Sequence, residues 1–226
     1  MMSPILQRPL EMGADIVIHS ATKFMAGHSD VMAGVAIVRD VDDGENKKLA
    51  ESLYFYQNAE GTALAPFDCW LVARGLKTMA LRVRQQQANA ERIAAWFSSN
   101  PLFTRVYYAG MESHPDYDIH AKQASGGGSV VCFETGNLEL SKHIVTNTKL
   151  FKITVSFGSV NSLISLPGNM SHASIPADVK AAREFPVDLV RISVGIESVD
   201  DLIADLKHAV STYTGPSITS SSSSSK

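Results

Sequence analysis

His19-Ser20-Ala21-Thr22-Lys23-Phe24, with Ala26-Gly27-His28-Ser29-Asp30 close behind it, is the stretch on which the reading of this chain turns. Immediately upstream, Ala14-Asp15-Ile16-Val17-Ile18-His19 is a short apolar run rich in β-branched side chains, which predicts a buried strand. The polar, glycine-containing segment 20–30 predicts a loop, and the apolar run 31–38 predicts a second buried strand. Lys23 is therefore placed just past the end of a strand, in a turn flanked by the hydroxyls of Ser20 and Thr22.

A lysine amine is a nucleophile that condenses with a carbonyl to give a Schiff base. Two hydroxyls beside it are donors suited to a phosphate dianion. The combination suits an aldehyde cofactor with a phosphate handle, which is pyridoxal phosphate. Spacing alone leaves other readings open. A loop lysine is more often simply solvated. Ser20 and Lys23 also match the Ser-x-x-Lys spacing of penicillin-recognising enzymes, but the sequence has no Lys-Thr-Gly strand and places a strand, not a helix, before the pair.

Arg191 is the second candidate. In the predicted strand Leu189–Val194, alternation puts Val190, Ile192 and Val194 on one face and Leu189, Arg191 and Ser193 on the other. An arginine in so apolar a strand needs a partner, and either a bound carboxylate or an acidic side chain of the chain would serve. Ser156-Phe157-Gly158-Ser159 follows a predicted strand and is either a site loop or a plain turn. Gly126-Gly127-Gly128 leads into a strand rather than a helix, so a turn is the better reading than a phosphate cradle. His28, His114, His120 and His172 lack metal-ligand spacing, and no metal is expected.

Further elements follow from periodicity. Residues 47–57 predict a helix. Leu76, Met79, Ala80, Val83, Ala90, Ile93, Ala94 and Phe97 recur at helical spacing, which predicts one long helix from Lys77 to Ser98 and a domain boundary near Gly75. Strands are predicted at 106–108, 129–133 and 153–157, and a helix at 138–148 behind an Asn137 cap. A short helix is expected at 178–183, and a helix after Ser198 carries Val199, Leu202, Ile203, Leu206 and Val210 as its apolar stripe. The tail from Pro216 is almost all serine and is expected to stay outside any core. The Tyr54-Phe55-Tyr56 cluster reads as core or interface.

The bulk numbers fit a globular chain. Of 226 residues, 45% are hydrophobic and 19% charged, and the net charge of −3 gives no electrostatic reason to expect a nucleic-acid or anionic-membrane partner. Cys69 and Cys132 form neither a metal spacing nor a disulfide framework. No apolar run is long enough to span a bilayer, and neither a secretory signal nor a transit peptide is visible at the start.

Together these stretches resemble the Cys/Met-metabolism enzymes of the aspartate-aminotransferase fold, which depend on pyridoxal phosphate. The likeness is carried by Asp15–Phe24, Gly27–Asp30 and Ala33-Gly34, by Gln57–Gly61, Ala65–Trp70 and Arg74–Met79, and by Val155–Val160 and Leu189–Glu197. It runs from Ser3 to about Tyr213. It implies an α/β fold: residues 1–76 as the C-terminal part of the large cofactor domain, 77–214 as a smaller α+β domain opened by the long helix, and 215–226 as a disordered tail.

The resemblance also implies roles. Lys23 would hold pyridoxal phosphate and move protons, Ser20 and Thr22 would bind its phosphate, and Ser156 and Arg191 would orient the substrate carboxylate. The implied reaction is α,β-elimination on L-cystathionine, giving homocysteine, pyruvate and ammonia. A cystathionine γ-synthase or γ-lyase activity is the nearest alternative, and a non-catalytic subunit assembling with full-length chains is another. A homo-oligomer, a homotetramer in the family pattern, and a plastid location follow from the plant-type likeness; a cytoplasmic location is the alternative. The family's upstream half is absent here. With it are missing its phosphate loop, the aromatic that stacks on the ring, the acidic partner of the pyridine nitrogen and the arm that reaches the neighbouring subunit. Weak or no turnover by the chain alone is therefore expected.

Overall fold

The computed structural model describes residues 2–39, 44–170 and 186–215, so the helix expected at 178–183 and the serine-rich tail lie outside the described residues. The chain divides into two compact units. The first comprises residues 1–87, 109–128 and 158–160, and the second comprises 88–108, 129–157 and 161–226.

In the first unit a short helix α1 (Ser3–Leu6) and a 3-10 turn (Pro9–Met12) lead to β1 (Ile16–Ser20). Its antiparallel partner is β2 (Gly34–Val38), in a register running from Ile16 opposite Val38 to Ser20 opposite Gly34. Helices α2 (Gly44–Glu60) and α3 (Pro66–Leu76) follow, then α4 (Met79–Ser99), which continues into the second unit, and later α5 (Tyr117–Gln123). Pro66 stands in the first turn of α3, where its missing N–H costs nothing. The core gathers Ala21, Phe24, Met25, Ala26 and Val31 with Val72, Met79 and Val83.

The expectation of two buried strands is corrected here. Only two strands pair in this unit among the described residues. Val17, His19, Val35 and Ile37 share a partly covered face. The opposite face holds Ile18, which is 80% exposed. A two-stranded ribbon has too little sheet around it to bury both faces. The core reading of Tyr54-Phe55-Tyr56 is corrected as well, because all three stand exposed on α2, a helix with no buried residue.

The long helix forms as its spacing predicts, with Met79 and Val83 inward in the first unit and Ala90, Ile93, Ala94 and Phe97 inward in the second. The same stripe contains Arg82, Gln86 and Asn89, each 5% exposed or less.

The second unit is built on a five-stranded sheet of order β3 (Arg105–Tyr107), β4 (Val130–Glu134), β7 (Val190–Ser193), β6 (Leu163–Ser165), β5 (Lys152–Ile153), antiparallel except for the parallel β5/β6 pair. Helix α6 (Leu138–Asn147) packs against α7 (Val199–Ser211). The Asn137 carboxamide oxygen caps α6 by accepting from the N–H groups of Glu139 and Leu140, and the Ser198 hydroxyl caps α7 from Asp201. Phe97, Phe103 and Phe133 pack edge-on or tilted at ring separations of 4.5–5.0 Å in the core.

The strand expected over 153–157 stops at Ile153 and leaves Val155 57% exposed. Its parallel partner supplies only Leu163 and Ile164 before Leu166-Pro167 ends β6, so no ladder remains for residues 155–157. β6 itself lacks a run long enough to be seen from periodicity.

Asp205 of α7, 8% exposed, accepts from Lys149 N–H at 2.9 and 3.0 Å and from Leu150 N–H at 2.8 Å, fixing the turn after α6. Asp205→Ala is expected to lower stability by about 2–3 kcal/mol, because the amides of Lys149 and Leu150 lose a charged acceptor that accepts three hydrogen bonds. A urea midpoint within error of the parent would refute this.

Candidate functional site

Lys23 lies in a single tight turn that follows β1. The turn is closed by Lys23 N–H donating to Ser20 O (3.2 Å), Ala26 N–H to Ala21 O (2.9 Å) and Gly27 N–H to Lys23 O (2.7 Å). Ala21, Phe24, Met25 and Ala26 are buried beneath it, while Ser20 is exposed and Thr22 and Lys23 are partly covered. The sequence folds this way because apolar residues at 21 and 24–26 face the core, leaving positions 20, 22 and 23 toward the surface. The three residues singled out by the sequence are thereby brought into one turn.

The Thr22 hydroxyl has a structural duty. It accepts from Ala33 N–H at 2.9 Å and lies 3.3 Å from Ala33 O, while Thr22 N–H donates to Ala33 O at 3.1 Å. These bonds tie the turn to the entrance of β2. The contact from the hydroxyl to Ala33 O is the longer and weaker of the two.

A second segment, Gly158-Ser159-Val160, abuts the turn within the same unit. Val160 N–H donates to Gly27 O at 2.9 Å, and the buried Gln86 side chain donates to Ser159 O at 2.7 Å. Gly158 has φ +112°, and a Cβ there would stand 2.8 Å from Lys23 Cβ and 3.0 Å from Lys23 Cα. A glycine is required because the backbone passes directly against the lysine stem. Gln86 was not among the residues expected at the site, and Gly158 was named only within the 156–159 segment that was either a site loop or a plain turn. For Gln86 the signal was present, as a polar residue at a core position of the α4 stripe.

Ser156 and Arg191 belong to the second unit. Ser156 is exposed. The Arg191 guanidinium lies 4.8 Å from the centroid of the Phe157 ring, a cation–π contact, and no acidic side chain pairs with it among the described residues. Of the two partners open to it in the sequence, a carboxylate of the chain itself is therefore not in place among those residues.

Cys132 sits across from Arg191 in the β4/β7 pair. Burial pushes its thiol up to about 11, against a smaller downward pull from Arg191. Cys69 is exposed, with its thiol near Leu64 O. Thiol reagents at neutral pH are expected to label Cys69 at least about tenfold faster than Cys132, and both alike in denaturant. Equal native rates, read by mass spectrometry of the two peptides, would contradict the burial.

Burial also lowers the pKa of His19 on β1. Two cavities of the first unit, of about 440 and 210 Å³, lie along the N-terminal segment, and Lys23 lines neither. Among the described residues no group of His, Cys, Asp or Glu could hold a metal ion, and no helix is long and apolar enough to cross a membrane.

The family described as Cys/Met metabolism PLP-dependent enzyme matches residues 1–211. The chloroplastic cystathionine beta-lyase of Arabidopsis thaliana is 61% identical over 212 residues, covering 94% of this chain and 44% of that protein. The chloroplastic cystathionine beta-lyase of Mimosa pudica is 59% identical, covering 93% and 45%. Among solved structures, cystathionine gamma-lyase from yeast superposes with a TM-score of 0.86 at 42% identity, covering 93% of this chain and 53% of that one. The chain thus spans a little under half the length of these curated relatives. A family match across residues 1–211 and a shared fold at this level of identity establish that the chain belongs to the Cys/Met metabolism PLP-dependent enzyme family, with the α/β fold of its PLP-dependent members.

Proposed function

We propose that this chain carries the lysine-bearing portion of a carbon–sulfur lyase that cleaves L-cystathionine by α,β-elimination, yielding homocysteine, pyruvate and ammonia. The observation that carries the reading is the seat of Lys23: a tight turn with Ser20 and Thr22 beside it and Gly158 pressed against its stem. A lysine held by its stem in a built turn, with hydroxyls adjacent, fits an aldehyde that carries a phosphate.

Pyridoxal phosphate, when bound, supplies an electron sink for negative charge at the substrate α-carbon. Lys23 Nζ would hold the cofactor aldehyde. Once released, the same amine would take the α-proton and pass a proton to the departing sulfur. Ser20 would donate to the phosphate, and Thr22 would turn its proton toward it while still accepting from Ala33 N–H. Arg191 would hold the substrate carboxylate with Ser156, its guanidinium steadied by the Phe157 ring. In domain terms, residues 1–76 would belong to the large cofactor domain and 77–214 to the smaller one.

Support for β- over γ-elimination comes from identity: 61% and 59% to the plant beta-lyases, against 42% to the yeast gamma-lyase. The names of the plant relatives also support a plastid location. A second reading is favoured by the exposure of Tyr54, Phe55, Phe67, Trp70 and Leu81, all at least 57% exposed in the first unit. So much bare apolar surface suits assembly with another polypeptide, either a second copy or a longer chain of the same family. In that setting the chain alone would turn over weakly or not at all.

The test adds pyridoxal phosphate to the purified chain, follows the visible absorbance, traps the adduct with borohydride and maps it. Attachment at Lys23 is expected. Cystathionine is then supplied with and without a co-expressed longer chain, and pyruvate is assayed against 2-oxobutyrate. Attachment elsewhere, or 2-oxobutyrate as the product, would overturn the reading.

A further inference from the structure

We propose that Arg82 is the positioning residue of Lys23, fixing the lysine turn from below through the carbonyls that follow it. The inference deepens the reading of Lys23 as the cofactor-holding amine and rests on it. Arg82 lies on the inward face of α4 and is 5% exposed. Its Nη1 donates to Phe24 O at 3.0 Å, its Nη2 to Met25 O at 3.1 Å and to Gly75 O at 2.8 Å, and its Nε to Thr78 Oγ1 at 3.1 Å. No carboxylate pairs with it among the described residues.

A guanidinium buried without a counter-ion is costly, and burial lowers its pKa accordingly. Such a group persists where its fixed fork of donors does something a smaller or neutral side chain cannot. Here the fork gathers two consecutive carbonyls of the Lys23 turn and the Gly75 carbonyl in the last turn of α3. Without it, the Phe24 and Met25 carbonyls would lose these donors, whereas Gly75 O would keep Thr78 N–H and Thr78 Oγ1, and the turn would be free to re-form in other ways.

Gly27 gives independent support. With φ +75°, it leaves open the space that the guanidinium fills, and a Cβ at that position would overlap Arg82 Nη1. The turn and the arginine are thus fitted to one another. Its last residue, Gly27, in turn receives Val160 N–H and so anchors the segment that carries Gly158. One side chain therefore organises both backbone stretches that hold the lysine stem.

The test uses Arg82→Met, which keeps the stem and removes the donors, and Arg82→Lys, which keeps the charge but not the fork. Two readouts are taken on the 226-residue chain. The first is native-state hydrogen exchange at the Ala26 and Gly27 amides relative to the α4 amides, which report opening of the whole unit. The second is the share of borohydride-trapped pyridoxal phosphate found on Lys23 rather than on other lysines.

Arg82→Met is expected to speed exchange at Ala26 and Gly27 by about tenfold beyond any change in α4, and to cut the Lys23 share by a similar factor. Arg82→Lys is expected to fall between Met and the parent. Exchange that rises only in step with α4, or an unchanged Lys23 share despite a loosened turn, overturns the proposal. If Arg82→Met does not fold, Arg82→Lys and Gly27→Ala give the same two comparisons. If the parent chain itself shows no preference for Lys23, the cofactor reading fails, and the exchange measurement alone decides whether Arg82 fixes the turn.

Discussion

Lys23→Ala is expected to abolish the visible absorbance that pyridoxal phosphate acquires on the chain, together with the borohydride-trapped mass on the peptide spanning residue 23. Lys23 sits in a closed turn between β1 and β2 with a glycine backbone against its stem. Lys23→Arg is the sharper control. It keeps a cation on a long stem, but a guanidinium stays protonated and does not condense with an aldehyde at neutral pH. Both variants are expected to lose the signal completely, and with it any pyruvate release in the presence of a longer chain. Stability is expected to change by less than about 1 kcal/mol, because Lys23 is only partly covered. A Lys23→Arg protein that still shows the parent absorbance, or a parent protein labelled at random among its lysines, would remove the basis for the functional reading.

The second large effect is expected at Gly158. Gly158→Ala combines two penalties. An L side chain is strained at φ +112°, by about 1–3 kcal/mol. The new Cβ also meets Lys23 Cβ at 2.8 Å, Lys23 Cα at 3.0 Å and Phe24 N at 3.1 Å, an overpacking of about 1–3 kcal/mol. The neighbours include backbone, so no flexible side chain can swing away. Nor can the segment drift freely, since Val160 N–H holds Gly27 O and Gln86 holds Ser159 O.

Gly13→Ala separates the two penalties. Gly13 has φ +106° and open space around its position, so that variant reports the strain alone. Gly158→Ala is expected to lose about 2–5 kcal/mol in a urea titration. It should lose more than Gly13→Ala, and it alone should impair attachment at Lys23. Equal losses for the two variants, with attachment intact, would show that the close approach to the lysine has no consequence.

The contrast between Lys23 and Arg82 shows how the site was and was not legible in the sequence. Lys23 stood out as a candidate because the strand ahead of it and the hydroxyls at 20 and 22 form a local pattern, but that pattern alone left a solvated lysine open, and the family resemblance over the whole chain singled it out. Arg82, Gln86 and Asn89 were legible in part. They fall among Met79, Val83, Ala90 and Ile93 on the inward face of α4, where a polar residue must find a partner inside. Their spacing marks them as buried. It cannot name Phe24 O, Ser159 O or Gly195 O as the acceptors, since these lie 58, 73 and 106 positions away.

The strands divide in the same way. Alternation in Leu189–Val194 is enough to set Val190 and Ile192 inward and Arg191 on the other face, and it did so correctly. It could not determine that β7 lies between β4 and β6, nor that Phe157 meets the Arg191 guanidinium. The error over β1 and β2 has the same origin. Apolar β-branched runs specify strands, but how deeply they are buried depends on what packs on them, and Ile18 stays 80% exposed where β1 has one partner strand among the described residues.

Local sequence was enough for the run of the long helix, the cap of α6 and the inward face of β7. Each of these follows from side chains within one or two turns of one another, through hydrophobic period and local hydrogen bonding. The approach of Gly158 to the lysine, the bond between Thr22 and Ala33 and the hold of the Arg82 guanidinium on the turn's carbonyls came from packing instead. Those contacts join residues far apart along the chain, and they form only when packing pairs each buried donor with an acceptor that no local pattern specifies.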